Sequence, residues 1–140
     1  MNTLICMVGL PRSGKSTQAK VIRLTEFATI VNPDSVRLAI HGHDFILDAE
    51  GFVWATVHAM VRSLFLAGNE TLILDATNVT RKRRDVWKSK TWKTVYCYID
   101  TPKEICFQRC DPNNKGLLQA IEKMAQEFEP LQSDEPLYEC

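Results

Sequence analysis

Eight residues near the start of the chain, Gly9-Leu10-Pro11-Arg12-Ser13-Gly14-Lys15-Ser16, combine two glycines, a lysine and a hydroxyl at a spacing suited to gripping an anion. Gly9 and Gly14 let the backbone curl so that successive N–H groups point inward, and the start of a helix behind them adds a partial positive charge. Lys15 then reaches the outer phosphates of a polyphosphate, while the Ser16 hydroxyl is placed to ligate Mg²⁺. Such a loop is credible only between a strand and a helix, and both are present. The apolar run Leu4-Ile5-Cys6-Met7-Val8 precedes it and Thr17-Gln18-Ala19-Lys20-Val21-Ile22 follows it. Binding of ATP or another nucleoside triphosphate through Gly9, Arg12, Ser13, Gly14, Lys15, Ser16 and Thr17 is the expectation.

A phosphate-gripping loop serves several reaction classes, so the residues facing the terminal phosphate must decide among them. Asp34 follows a second strand-like run and is of the type that accepts a proton from a hydroxyl and orients it for in-line attack. Arg37, three residues on, shares its helix face and can clamp an anionic group of an acceptor. Asp75 closes the run Thr71-Leu72-Ile73-Leu74 and has the position of a carboxylate that holds Mg²⁺ directly or through water. Arg109, ahead of the breaker-rich Asp111-Pro112-Asn113-Asn114-Lys115-Gly116, is the candidate lid cation that neutralises charge on a transferred group.

The elements that must position these residues alternate. The helix behind the loop is expected to run to about Leu24, with Phe27–Val31 as a second strand and a short helix opened or capped by Asp34 and stopped at His41-Gly42-His43. Val53, Val57, Met60, Val61 and Leu64 recur at helical spacing, which predicts the longest helix between Asp48 as N-cap and Gly68, with Trp54 and Phe65 packing rather than stacking on bases. A helix from Arg81 to Ser89, a strand from Lys93 to Ile99, a helix opened by Thr101, Pro102 and Glu104 and a last helix near Leu117–Phe128 follow, and residues 136–140 supply a possible final strand. Strand and helix in alternation mean a parallel sheet with helices on both faces. A three-layer α/β/α sandwich with four to five strands is expected, its strand C-termini gathering Gly9–Ser16, Asp34, Asp75 and Asp100-Thr101 along one cleft.

At 140 residues, one domain spanning 1–140 is expected, with a lid segment near 109–116. Zero net charge gives no global reason to expect nucleic acid or a membrane, and no apolar run approaches spanning length, so a soluble cytoplasmic protein is the reading. Five cysteines without a Cys-x-x-Cys pair argue against a zinc centre and make reduced thiols the default, with Cys6 and Cys97 as small core residues. His41 and His43 bracket a glycine with no third ligand nearby, so a turn is preferred over a metal site. Arg81, Lys82, Arg83, Arg84 and Lys88 on one helix leave two readings open, a stripe that tracks a phosphate backbone or a solvated face.

Gly9 to Thr17, Asp34-x-x-Arg37, Leu74-Asp75-Ala76-Thr77-Asn78 with its basic run, and Tyr98-Ile99-Asp100-Thr101-Pro102 before Arg109 together resemble the zeta-toxin and polynucleotide-kinase-like P-loop kinases. Within that group the chain looks most like the kinase domain of phage-type 5′-hydroxyl polynucleotide kinases, along nearly its whole length. The resemblance implies that Lys15 and Ser16 bind the donor phosphates and Mg²⁺, that Asp34 is the general base for a 5′-hydroxyl, that Arg37 holds an acceptor 3′-phosphate, and that Asp75 supports the catalytic centre. Arg109 matches the first of two lid arginines. The second is missing: Asn113 stands there, and Lys115, the nearest cation, lacks an arginine's two-pronged fork.

The expected activity is ATP-dependent transfer of the γ-phosphate to the 5′-hydroxyl of a polynucleotide or nucleotide. A small hydroxylated acceptor such as a nucleoside, sugar or antibiotic is the first alternative. A nucleotide-binding module with little transfer is the second.

Overall fold

The computed structural model describes residues 1–138, and β1 (Thr3–Val8), β2 (Thr29–Val31), β3 (Thr71–Leu74) and β4 (Lys93–Tyr98) form its sheet in the order β2-β3-β1-β4. Every pairing is parallel, as crossover helices require. The helices are α1 (Lys15–Glu26), α2 (Pro33–His41), α3 (Glu50–Leu66), α4 (Arg81–Asp85), α5 (Lys103–Gln108) and α6 (Lys115–Glu127). The expected α/β fold with a parallel sheet is therefore the observed one.

Alternation along β1 divides the core into two layers. Leu4, Cys6 and Val8 face α3, where Val53, Val57, Val61 and Phe65 pack with Leu72, Leu74, Val31, Trp87 and Tyr96. Ile5 and Met7 face the other way, toward Ala19 and Ile22 of α1, with Ile73, Val95 and Cys97. Each aliphatic side chain fully buried in these layers contributes about 1.5–3 kcal/mol, so the central strand is fixed on both faces. Trp54 and Phe65 pack as expected, their rings tilted against Trp87 and Trp92. A small third cluster of Cys106, Cys110 and Ile121 joins α5 to α6 and reaches Leu10 of the loop.

Several boundaries differ from the sequence reading. Phe27 is not in a strand: it caps α1 in the left-handed conformation at φ 52° and is almost wholly exposed. Asn32, not Asp34, caps α2 by accepting from the Asp34 N–H, with Pro33 in the first turn. Asp48 lies in a short 3₁₀ turn, Leu47–Ala49, and caps nothing. Thr101 does not cap α5, since its hydroxyl donates to the Ser13 carbonyl instead. Helix α4 is shorter than expected, ending at Asp85.

Past Glu127 the chain returns along β4, where Tyr96 N–H donates to Pro136 O and Tyr138 N–H to Tyr96 O. Among the described residues an isolated bridge between Tyr96 and Leu137 forms there, and the end of the expected last strand lies outside them. Cys6, Cys106 and Cys110 are free and buried, whereas Cys97 is disulfide-bonded, contrary to the reduced-thiol expectation. Among the described residues no helix is long and apolar enough to cross a membrane.

Candidate active site

The loop between β1 and α1 carries its conformation in its residue types. Arg12 and Gly14 have φ of 66° and 101°, and a turn through left-handed space at Gly14 is cheap only without a Cβ. Gly9 is needed for closeness, because a Cβ there would meet Ser13 Oγ at 2.9 Å and the Ile99 carbonyl at 3.1 Å. The loop is tied to its surroundings by Gly9 N–H to Thr77 O, Thr101 Oγ1 to Ser13 O and Arg109 Nη1 to Arg12 O. These bonds hold a concave run of N–H groups at the N-terminus of α1, the geometry that receives phosphate oxygens.

Lys15 is 8 % exposed and donates to the Leu10 carbonyl at 2.8 Å, which folds it back across the loop. Burial pushes its ammonium below the usual lysine value, and the charges of Asp75 and, more weakly, Asp34 act in the opposite direction. An arriving polyphosphate would supply the missing counter-charge. Ser16 Oγ donates to Asp75 Oδ2 at 2.7 Å, joining the start of α1 to the end of β3. A hydroxyl and a carboxylate in contact are hard oxygen donors of the kind Mg²⁺ prefers. Among the described residues no group of three or more His, Cys, Asp or Glu could hold a metal unaided, so phosphate and water oxygens would have to complete the shell.

Asp34, in the first turn of α2, has a side chain 78 % exposed and lies within electrostatic reach of Lys15. Arg37 is less available than its sequence position implies. Its Nε and Nη2 donate to Glu50 Oε2 and Oε1 at 2.9 and 2.6 Å, its Nη1 donates to Asp34 Oδ1 at 2.7 Å, and its guanidinium lies over the Trp54 ring. Arg109 stands just past α5 beside Arg12 and Gly14, above the loop. Asn113 and Lys115 occupy the turn into α6, where Lys115 N–H donates to Asn113 O. The strand ends thus bring together Gly9–Ser16, Asp75 and Thr101, with Asp34 on α2 within reach of the Lys15 charge and Arg109 bonded to Arg12 of the loop.

Much of the basic stretch after β3 is tied up in ion pairs, while Lys82 and Arg83 stay exposed. Arg84 is fully buried and donates to Glu135 and to the carbonyls of Asn78 and Val79. Arg81 pairs with Asp85, Asp134 and Glu135, and Lys88 with Asp85 and Asp134. Sequence reasoning also passed over Glu50 and Asn78. Asn78 takes φ 47° and donates to Met7 O, holding the loop after β3 against β1. Its type offered a signal, since asparagine is enriched in left-handed positions, but Glu50 offered none.

Comparison with known proteins gives the fold a context. A chain of the "Pnkp1/Rnl/Hen1 complex" superposes with a TM-score of 0.69 at 31 % identity, over 79 % of this chain and 39 % of that one. A second structure, of the "Pnkp1/Rnl/Hen1 RNA repair complex", matches at TM-score 0.66 and 23 % identity over 91 % of this chain and 46 % of that chain. The protein therefore spans less than half the length of either. A sugar kinase from Janibacter sp. HTCC2649 (TM-score 0.68, 18 % identity) is covered over 83 % of its length by 99 % of this chain. A gluconokinase from Sinorhizobium meliloti 1021 (0.67, 16 %) is covered over 80 % by 96 %. A search of curated proteins finds no match. The fold is that of these P-loop kinase structures. Residues 4–131, from β1 to beyond the end of α6, match the family model described as AAA domain, and the chain belongs to that family.

Proposed function

We propose that the protein is an ATP-dependent kinase that moves the γ-phosphate to a hydroxyl acceptor, most specifically the 5′-hydroxyl of a polynucleotide or nucleotide, in the manner of phage-type polynucleotide kinases. The observation that carries this reading is the position of Asp34, an exposed carboxylate in the first turn of the helix after β2, whose charge reaches Lys15. A hydroxyl placed between Asp34 and a bound triphosphate loses its proton to the carboxylate as its oxygen attacks phosphorus, and the nucleoside diphosphate leaves on the far side. Lys15 and the loop N–H groups hold the donor in line. Mg²⁺, held by Ser16 and Asp75, would offset charge on the β and γ phosphates. Arg109 would add a lid cation over the same oxygens.

The likeness to chains of the Pnkp1/Rnl/Hen1 complex, described for the second structure as an RNA repair complex, supports a nucleic-acid acceptor. A second reading, a small hydroxylated acceptor, is favoured by the pairing of Arg81, Arg84 and Lys88 with carboxylates, which leaves that stretch a poor track for a phosphate backbone. One assay with labelled ATP separates the two by offering a 5′-hydroxyl DNA, a 5′-hydroxyl RNA, a 3′-mononucleotide, free nucleosides and sugars side by side. Label on the oligonucleotides is the expected result. Label only on nucleosides or sugars would select the second reading, and label on nothing would reduce the protein to a nucleotide binder.

A further inference from the structure

Arg37 is the cation nearest Asp34 on α2, yet its fork is already filled. Glu50, at the start of α3, takes both Nε and Nη2 in two parallel charge-assisted bonds of 2.9 and 2.6 Å, and both side chains are about 85 % buried (14 % and 15 % exposed). The flat guanidinium is further held over Trp54 at 5.9 Å from the ring centre. Of the five N–H donors a third, on Nη1, goes to Asp34 Oδ1, which leaves one N–H on each Nη uncommitted. A phosphate seeking two-pronged recognition at the Nε–Nη2 side of Arg37 would have to displace a largely buried carboxylate from its best partner.

We propose that Glu50 is a positioning and specificity-determining residue: by occupying the Nε–Nη2 fork of Arg37 it turns Arg37 into a strut that orients the Asp34 carboxylate and denies a phosphate on the acceptor that two-pronged contact. In nucleotide terms a phosphate on the acceptor's 3′ side, whether a 3′-monoester or the first phosphodiester of an oligonucleotide, gains no two-pronged contact from Arg37 in the wild type. The inference rests on Asp34 marking the acceptor side. It departs from the phosphate-holding role that the resemblance assigns to Arg37.

The test measures binding by calorimetry for a nucleoside and its 3′-mononucleotide, on the wild type, Glu50→Gln and Glu50→Gln/Arg37→Ala, each first shown to be folded by thermal melting. In Glu50→Gln the fork is freed, so affinity for the mononucleotide should rise about tenfold or more, nucleoside affinity should stay within about threefold, and the gain should vanish when Arg37 is also removed. A folded Glu50→Gln protein with no gain for the mononucleotide, or a gain that survives loss of Arg37, overturns the proposal. Transfer assays on the same proteins keep the two readings apart. The stated binding shift without transfer to any hydroxyl would refute the kinase reading and uphold the role of Glu50, whereas transfer with no binding shift would do the reverse.

Discussion

Ser16 Oγ and Asp75 Oδ2 lie 2.7 Å apart, the hydroxyl donating, although 59 residues separate them in the chain. Parallel pairing of β1 with β3 makes this meeting unavoidable, because Cys6 is in register with Leu74 and both strands then end at the same edge. The pair brings a hydroxyl and a carboxylate, two hard oxygen donors, together in the cleft. Replacing Asp75 with Asn keeps a hydrogen-bond acceptor for Ser16 and removes the charge. The Mg²⁺ concentration for half-maximal nucleotide-dependent transfer should then rise about ten- to a hundredfold, the effect usual for weakening a metal's protein ligation. An unchanged Mg²⁺ requirement would remove Asp75 from the metal site.

Gly9 tests the loop by shape alone. Its missing side chain leaves room for Ser13 Oγ, which can rotate away, and for the Ile99 carbonyl, which cannot, since Ile99 N–H is held by Val8 O. Gly9→Ala should cost about 1–3 kcal/mol in urea unfolding, the usual range for overpacking, and lower ATP affinity about tenfold. Calorimetric titration with ATP checks the second figure.

Arg84 and Glu135 form an ion pair at 2.7 Å with no exposure on either side. Removing one partner strands a buried charge, so Glu135→Ala should lose about 3–5 kcal/mol of stability. Replacing both residues by Met and Leu should recover most of that loss, and chemical denaturation of the three proteins measures the difference. A Glu135→Ala protein as stable as the wild type would show that the segment after α6 contributes little.

How far the sequence was legible follows from which contacts are local. The phosphate-gripping loop, the burial of β1 and the arrival of Asp75 at the sheet edge were readable because glycine spacing, a doubly buried strand and a strand-terminal acid each leave a short-range pattern. The roles of Arg37 and of the basic run were not readable. Glu50 lies beyond a loop and a 3₁₀ turn from Arg37, and Asp134 and Glu135 return from the far end of the chain to neutralise Arg81 and Arg84. Cap positions failed for a related reason: Thr101 had a long-range partner, Ser13 O, that outcompeted the local one.

His58 gives the protein a pH dependence outside the cleft. It stacks on Trp87 at 4.0 Å, and burial, with Arg62 adding its charge, pushes the imidazole below its ordinary value of 6.5. The unfolded chain therefore takes up this proton first as pH falls, so the associated stability is present above 6.5 and lost between 6.5 and the lower folded value. The urea midpoint should fall between about pH 7.5 and 5.5 in the wild type and fall less in His58→Phe, which keeps a flat ring on Trp87. Equal slopes for the two proteins would contradict this.

The most direct measurement of the central claim is γ-phosphate transfer from labelled ATP to a 5′-hydroxyl oligonucleotide by the wild type and by Asp34→Asn, with ATP affinity measured on both. Loss of a general base predicts a fall in transfer of about 10²–10⁴-fold with ATP binding unchanged. An Asp34→Asn protein that transfers phosphate at the wild-type rate would contradict the account.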